Sequence, residues 1–139
     1  MAIADQAPLY LDASAIVKLV ADEPESGDLV DAVTDARLVS SELAIAELPR
    51  AMRRIERGDV VDLIARTDAV LATLDLVPVG SDVLTLAGAL AMANLRTLDA
   101  IHVASSLLLD DLGLFISYDA RQLRAAAEAG LAIASPGRA

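Results

Sequence analysis

The chain has 139 residues with no cysteine, 11 basic against 21 acidic residues and a formal net charge of −10. This length fits one domain with a sizeable core, and the lack of cysteine excludes disulfides, thiolate metal sites and cysteine nucleophiles. The negative charge argues against binding nucleic acid through a generally basic surface, so such a role would need local positive charge or bound metal.

The first part of the chain alternates short strand-like runs with helical ones. Strands are predicted at residues 9–11 and 38–40, and helices at residues 14–20, 26–36 and 42–57. Ser41 is placed to cap the last of these helices, and Gly58 to end it. Pro49 lies inside this helix, where it removes the hydrogen bond to the Ile45 carbonyl and should bend the axis beside Glu47.

The alternation continues to the end of the chain. Asp59 is expected to cap a helix ending near residue 74, and Thr97 a helix over residues 98–112. Further helices are predicted from Ser81 or Asp82 to Asn94 and over 120–129, with strands at 76–79, 114–117 and, weakly, 131–134. Such alternation implies βαβ units and a parallel sheet with helices on both faces, whose functional crevice lies at the carboxyl ends of the strands.

Four acidic residues stand where a carboxylate is unexpected. Asp12 and Asp119 follow the strands predicted at 9–11 and 114–117, at the crevice end of the sheet. Glu47 follows the apolar run LAIA, and Asp99 lies in the first turn of a largely apolar helix. Taken singly, each of the last two has a structural explanation. The helix dipole stabilises Asp99, and arginines at helical spacing can pair with Glu47.

Considered together, the same four acids predict a metal site. If both strand ends and both helices open onto one rim, the carboxylates converge, and their repulsion would be severe without one or two divalent ions. Oxygen ligands without cysteine favour Mg²⁺ or Mn²⁺ over Zn²⁺. Such ions clamp the attacking and leaving oxygens of a phosphodiester, so metal-dependent hydrolysis of a nucleic acid is the first hypothesis.

A basic stripe runs along the helix that carries Glu47. It comprises Arg50, Arg53, Arg54 and Arg57. These side chains could contact nucleic-acid phosphates, or they could form a solvated face paired with Glu56. Arg121 and Arg124 could likewise bind phosphate, or they could neutralise the acidic rim.

Four segments resemble, in order and spacing, the motifs of the PIN-domain ribonucleases. They are YLDASAIVKL, SSELAIAELPRAMRR, LRTLDAIHVASS and LFISYDARQLRAAAEAG. The resemblance extends from Leu9 to Gly130 and is strongest to the VapC-type toxins of bacterial toxin–antitoxin pairs. Four acidic motifs in this order make a specific signal.

The resemblance implies a three-layer α/β/α sandwich and an Mg²⁺- or Mn²⁺-dependent endoribonuclease. It assigns metal binding to Asp12, Glu47, Asp99 and Asp119. Ser14 and Ser117 would supply hydroxyl groups that position a water or a carboxylate. The family also implies structured RNA such as tRNA or rRNA as substrate, a homodimer, and inhibition by a cognate VapB-type antitoxin. The candidate RNA contacts, from the residues themselves, are Arg50, Arg53, Arg54 and Arg121.

Two further residues have open roles. His102 could act as a general acid or as a donor behind a metal ligand, although a lone histidine on an apolar helix is more often a hydrogen-bonded structural residue. Glu42 is the substitute for Glu47 if Pro49 rotates the helix. An apolar face on the helix after Ser81 suits core packing or, from the family, a dimer contact. Its residues are Leu84, Ala87, Leu90 and Ala91.

Three rival functions fit the sequence less well than a metal-dependent nuclease. A phosphoacceptor receiver domain needs a lysine near a late strand, and the only lysine is Lys18 in the first helix. A haloacid-dehalogenase-like phosphatase needs a second aspartate two residues after Asp12, where this chain has Ser14. A catalytically silent PIN domain that acts as a binding module is disfavoured by the complete set of acids.

The sequence gives no sign of export or membrane insertion. The N-terminal residues MAIADQAP lack the basic and apolar regions of a signal peptide, and the longest uncharged run, residues 83–95, is too short to span a bilayer. We therefore expect a cytoplasmic protein without a membrane partner. One Phe, two Tyr and no Trp also weaken any model of RNA binding by base stacking.

Overall fold

A computed structural model describes residues 6–55 and 60–138. Its sheet is built from β1 (Leu9–Leu11), β2 (Leu38–Ser41), β3 (Asp75–Val77), β4 (Leu114–Ile116) and β5 (Ile133–Ala134). All strand pairs are parallel, and the order across the sheet is β3-β2-β1-β4-β5. In the central strand, Leu9 pairs with Leu38 on one side and with Leu114 on the other.

Seven helices accompany this sheet in the described ranges. They are α1 (Ala13–Val20), α2 (Ser26–Val33), α3 (Ala44–Arg54), α4 (Val60–Leu71), α5 (Ser81–Ala89), α6 (Thr97–Leu107) and α7 (Ala120–Glu128). No helix in this part of the chain has the length and apolar character needed to cross a membrane.

The central strands alternate their side chains between two cores, as the pleat of a strand requires. Leu11 and Ile116 point into a core shared with helices α1 to α4. Tyr10 and Phe115 point to the opposite face and pack with residues of α6 and α7, while α5 packs on α6. Helices therefore cover both faces of a parallel sheet, and the predicted α/β/α fold class is confirmed.

Two predicted helices were too long because the backbone leaves the helical conformation early. α2 ends at Val33 instead of residue 36: Thr34 has a ψ of 133°, and Asp35 is left-handed with a φ of 62°. α5 ends at Ala89 instead of Asn94, because Leu90 is extended with a ψ of 120°. Apolar periodicity does not reveal such backbone changes.

Two predicted helix caps were also wrong. Ser41 is the last residue of β2, and its hydroxyl accepts the Leu43 N–H at 3.1 Å, so α3 starts two residues later than expected. Thr97 is the first residue of α6 and not its cap, and this helix ends at Leu107 instead of residue 112. The expectations for Glu56, Arg57, Gly58 and Asp59 lie outside the described residues.

Candidate active site

Asp12 ends β1, caps α1 and is hydrogen-bonded through both carboxylate oxygens. Its Oδ1 accepts from the Ser14 hydroxyl at 2.6 Å and the Ala15 N–H at 3.1 Å, and its Oδ2 accepts from the Ser117 hydroxyl at 2.5 Å. Asp12 is only 4% exposed. Burial raises the pKa of Asp12, while the interaction with His102 and these hydrogen bonds oppose that rise. The bonds come from neutral groups, so they fix the carboxylate without neutralising it.

Ser14 and Ser117 join the start of α1 to the end of β4. The Ser14 hydroxyl oxygen accepts the Tyr118 N–H at 2.9 Å, and that of Ser117 accepts the Asp119 N–H at 3.0 Å. Each hydroxyl has one proton, and its shorter bond is to Asp12. The 3.3 Å contact between the two hydroxyl oxygens is therefore the weaker alternative for either proton. The structure thus brings both serines to Asp12.

Asp119 lies at the carboxyl end of β4 and caps α7. Its Oδ1 accepts the N–H of Arg121 at 2.9 Å and that of Gln122 at 3.4 Å. The residue is exposed, so its carboxylate faces solvent at the rim of the sheet. The capping bonds satisfy two of the free N–H groups that every helix start presents.

Glu47 is connected to the interior by His102. Glu47 Oε1 lies 2.7 Å from His102 Nε2, and His102 Nδ1 lies 2.7 Å from the Tyr10 hydroxyl. The side chain of His102 is 2% exposed and that of Glu47 is 20% exposed. Helix α3 is continuous through Pro49, so the predicted bend does not take Glu47 away from α6.

Asp99 lies in the first turn of α6, within the electrostatic field of the other acids. The pKa of Asp99 is raised first by burial and then by the negative charge of Asp119, with a smaller contribution from Glu47. The interactions with His102 and Arg96 lower the pKa of Asp99 and partly offset this rise. Asp99 therefore carries negative charge that its protein neighbours do not fully compensate.

The same acids suit a divalent ion by the chemistry of their oxygen donors. Carboxylate oxygens are the donors that Mg²⁺ and Mn²⁺ prefer, and a cation would relieve the charge that raises the pKa of Asp99. Within residues 6–55 and 60–138, no group of three or more His, Asp or Glu side chains is already arranged to hold a metal ion. The donors therefore fit such ions by their chemistry and not by a ready-made coordination shell.

Other residues singled out in the sequence have different places. Glu42 is exposed, and its Oε1 accepts the Val79 N–H at 3.0 Å, which engages it next to the edge strand β3 and not in the acidic group. Arg50 and Arg54 line a cavity of about 320 Å³ together with Glu47. The remaining candidate RNA contacts, Arg53 and Arg121, are exposed. On α5, Ala87 is buried and Leu84 is 49% exposed.

The connection from Tyr10 through His102 to Glu47 was not predicted from the sequence. The available signal was the only histidine in the chain, three residues after Asp99 on the same helix. Tyr10 and His102 are 92 residues apart, so no spacing rule could pair them. Burial raises the pKa of Tyr10 well above its ordinary value, so its hydroxyl keeps its proton.

Comparison with known proteins places these features in a family context. Residues 9–128 match the family model described as PIN domain. Ribonuclease VapC46 of Mycobacterium tuberculosis is 46% identical over 132 residues, which cover 94% of this chain and 98% of that protein. Ribonuclease VapC47 of the same species is 35% identical over 132 residues, which cover 93% and 97%.

Solved structures share the fold at low sequence identity. The crystal structure of VapBC2 from Rickettsia felis bound to a DNA fragment from their promoter gives a TM-score of 0.67 at 11% identity, covering 93% of this chain and 98% of that chain. The crystal structure of FitAcB from Neisseria gonorrhoeae gives a TM-score of 0.67 at 15% identity, covering 94% and 99%. At these identities the likeness concerns the fold.

Proposed function

Because this chain belongs to the PIN-domain family, and within it to the VapC ribonucleases, we propose that it is a metal-dependent endoribonuclease that cleaves structured RNA such as tRNA or rRNA. The observation that carries the proposal is the position of Asp12 and Asp119 at the carboxyl ends of the paired strands β1 and β4, with Ser14 and Ser117 bonded to Asp12. The pKa of Asp99 is raised by burial and then by the charge of Asp119, and a perturbed acid in such a place is typical of a functional site.

The proposed cofactor is Mg²⁺ or Mn²⁺, bound by the four acids Asp12, Glu47, Asp99 and Asp119. When bound, such an ion activates water and stabilises the leaving oxygen of a phosphodiester. Ser14 and Ser117 keep both oxygens of Asp12 in place, and the N–H groups at the start of α7 orient Asp119. No side chain is then needed as the nucleophile.

The proposed RNA contacts are local, because the whole chain carries a net charge of −10. Arg50 and Arg54 line the cavity that reaches Glu47, so a phosphate bound there would lie beside the acidic group. Arg53 and Arg121 are exposed and available for further phosphate contacts. Arginine suits this role because its planar guanidinium can bind two phosphate oxygens at once.

We also propose a cognate VapB-type antitoxin as inhibitor, supported by the VapC relatives and by the VapBC2 complex that shares this fold. A homodimer and a cytoplasmic location complete the proposal. The location follows from the proposed substrates, since tRNA and rRNA are cytoplasmic molecules. The exposed Leu84 on α5 is a candidate dimer contact.

The test is cleavage of total tRNA and rRNA by the purified protein in Mg²⁺ or Mn²⁺. EDTA and Asp99→Asn should each remove the products. Asp62→Asn is a matched control, because Asp62 is also an acid in the first turn of a helix but pairs with Arg66 on the exposed face of α4. Products that persist in EDTA or in Asp99→Asn would contradict the proposal. Folded protein that binds Mn²⁺ but leaves every RNA intact would instead favour a silent binding module.

A further inference from the structure

A buried row of hydrogen-bonded side chains connects the sheet to Glu47. Tyr10 on β1 contacts His102 on α6, and His102 contacts Glu47 on α3, with both heavy-atom distances at 2.7 Å. Tyr10 is 0% exposed and His102 is 2% exposed. Three separate elements therefore meet through two short polar contacts, and the Tyr10 and His102 end of the row is shielded from water.

Packing fixes the first member of this row. The Tyr10 ring stacks on Phe115 with centroids 5.3 Å apart and planes 10° from parallel. The same ring meets His102 edge-on, with centroids 5.9 Å apart. Because β1 and β4 are paired directly at Tyr10 and Phe115, the position of the Tyr10 hydroxyl is set by the sheet itself.

A neutral imidazole can satisfy both contacts in only one tautomer. An ionised carboxylate only accepts hydrogen bonds, so Glu47 requires a proton on Nε2 of His102. Nδ1 then carries a lone pair and accepts the hydroxyl proton of Tyr10. The opposite tautomer would place the Nε2 lone pair 2.7 Å from a carboxylate oxygen, which is repulsive.

We propose that Tyr10 and His102 are positioning residues that hold the carboxylate of Glu47 toward the acidic group of the proposed active site. Tyr10 fixes the tautomer of His102, and His102 fixes the orientation of Glu47. A histidine that donates to a carboxylate ligand is a common way to orient such ligands. The two residues position Glu47 already in the free protein, before any metal or RNA binds, and this goes beyond the proposed nuclease activity. The effect of the positioning on catalysis rests on that proposed function.

The first test is the tautomer of His102 in the metal-free protein, measured by long-range ¹H–¹⁵N NMR. The chain has one histidine, so its ring signals need no assignment experiments. The inference requires a protonated Nε2 and an unprotonated Nδ1 in the wild type. Tyr10→Phe, which keeps the ring on Phe115 and removes the hydroxyl, should give a mixture of tautomers. A proton on Nδ1 in the wild type would overturn the inference.

The second test is Mn²⁺ affinity, measured by calorimetry on variants shown to be folded by circular dichroism. Tyr10→Phe and His102→Ala should weaken binding by about 10- to 100-fold, the usual effect of losing a residue that orients a ligand. His102→Gln should retain more affinity than His102→Ala, because the Gln amide can donate from near the position of Nε2. Excess Mn²⁺ should then restore cleavage in Tyr10→Phe.

Ser106→Ala is the matched control on the same helix. Ser106 is fully buried, but its hydroxyl donates to the Val103 carbonyl of α6, so its loss should leave Mn²⁺ affinity unchanged. Wild-type affinity in both Tyr10→Phe and His102→Ala would overturn the positioning role while leaving the nuclease proposal intact. A wild type that fails to cleave RNA would overturn the nuclease proposal without altering the tautomer result.

Discussion

Asp99 is unfavourable for folding in the metal-free protein, and the proposed function gives it a use. As an acid in the first turn of α6 it gains from the helix dipole, an effect of about 0.3–1 kcal/mol. Burial and then the charge of Asp119 act against its ionised form and raise the pKa of Asp99. The ionised carboxylate therefore destabilises the metal-free protein at neutral pH.

This balance predicts opposite stability effects for two similar substitutions. In EDTA at neutral pH, Asp99→Asn should melt at the same temperature as the wild type or higher, since it removes the repelled charge. Asp62→Asn should lower the unfolding free energy by about 0.3–0.5 kcal/mol, the usual value of an exposed i,i+4 pair such as Asp62 with Arg66. Cleavage should fall by more than about 100-fold in Asp99→Asn and should not fall in Asp62→Asn. The loss of a metal ligand should reduce activity more than the loss of a residue that orients a ligand.

Thermal melts and RNA cleavage on the same preparations check both parts of this prediction. A clear drop in melting temperature for Asp99→Asn without metal would show that the carboxylate supports the fold. That result would contradict the interpretation of its raised pKa.

At the scale of elements, the C-terminal segment after β5 fastens the loop that carries Ser117 and Asp119. Arg138 donates to the Tyr118 carbonyl at 2.8 Å and pairs with Glu25 at 3.0 Å, and Lys18 pairs with Glu25 at 2.8 Å. The Tyr118 hydroxyl donates to the Pro136 carbonyl at 2.7 Å. Two cations also lie over the Tyr118 ring. The chain end thus ties the turn before α2 to the candidate active site.

Glu25 makes this fastening dependent on pH. Hydrogen bonds from Lys18 and then Arg138 lower the pKa of Glu25 from its ordinary 4.5 to about 2. Between these values the folded state binds fewer protons than the unfolded state, so the contribution to stability is complete above pH 4.5 and is lost as the pH falls toward 2. Glu25→Gln should therefore have a lower free energy of unfolding than the wild type at pH 6. The two free energies should converge in acid.

Urea unfolding of both proteins from pH 3 to pH 6 measures this convergence. Asp75→Asn, which breaks the exposed pair with Arg37, controls for the loss of a charge elsewhere. A difference between Glu25→Gln and the wild type that stays constant with pH would show that the carboxylate charge contributes nothing.

The elements themselves were largely predictable, because strands and helices repeat their apolar residues with different periods. This rule predicted the strand β1, the helix α1 that follows it, and the helix α7, which Asp119 caps. The predicted ends of α2 and α5 were wrong, because the chain leaves each helix at a residue with a non-helical ψ, Thr34 or Leu90, and this change leaves no apolar pattern. Thr97 failed as a cap because the helix already includes it.

At the scale of the whole molecule, topology brings distant acids to one rim. Parallel strands place Asp12 and Asp119 at the same end of the sheet, which the alternation of elements made predictable. The contacts of Glu47 were not predictable, because they depend on how α3 and α6 pack on the same sheet. A pairing such as Tyr10 with His102 exists only after the long-range folding of the chain.

Under the proposed function, the whole molecule binds RNA against a net charge of −10. Long-range repulsion slows the encounter of two anions, and salt at about 0.15 M screens it beyond roughly 8 Å. Under this account, divalent ions at the acidic group and the arginines on α3 provide the local attraction. Binding of metal and cleavage of RNA should consequently rise together.

The most direct measurement is a Mn²⁺ titration at about 0.15 M salt in which metal binding and RNA cleavage are followed on the same protein. The account predicts that binding and cleavage reach half-maximum at the same Mn²⁺ concentration. Asp99→Asn should lose both, and Asp62→Asn should keep both. Cleavage that is already maximal before Mn²⁺ binds, or that survives in EDTA, would contradict the claim that these acids form a metal-dependent nuclease site.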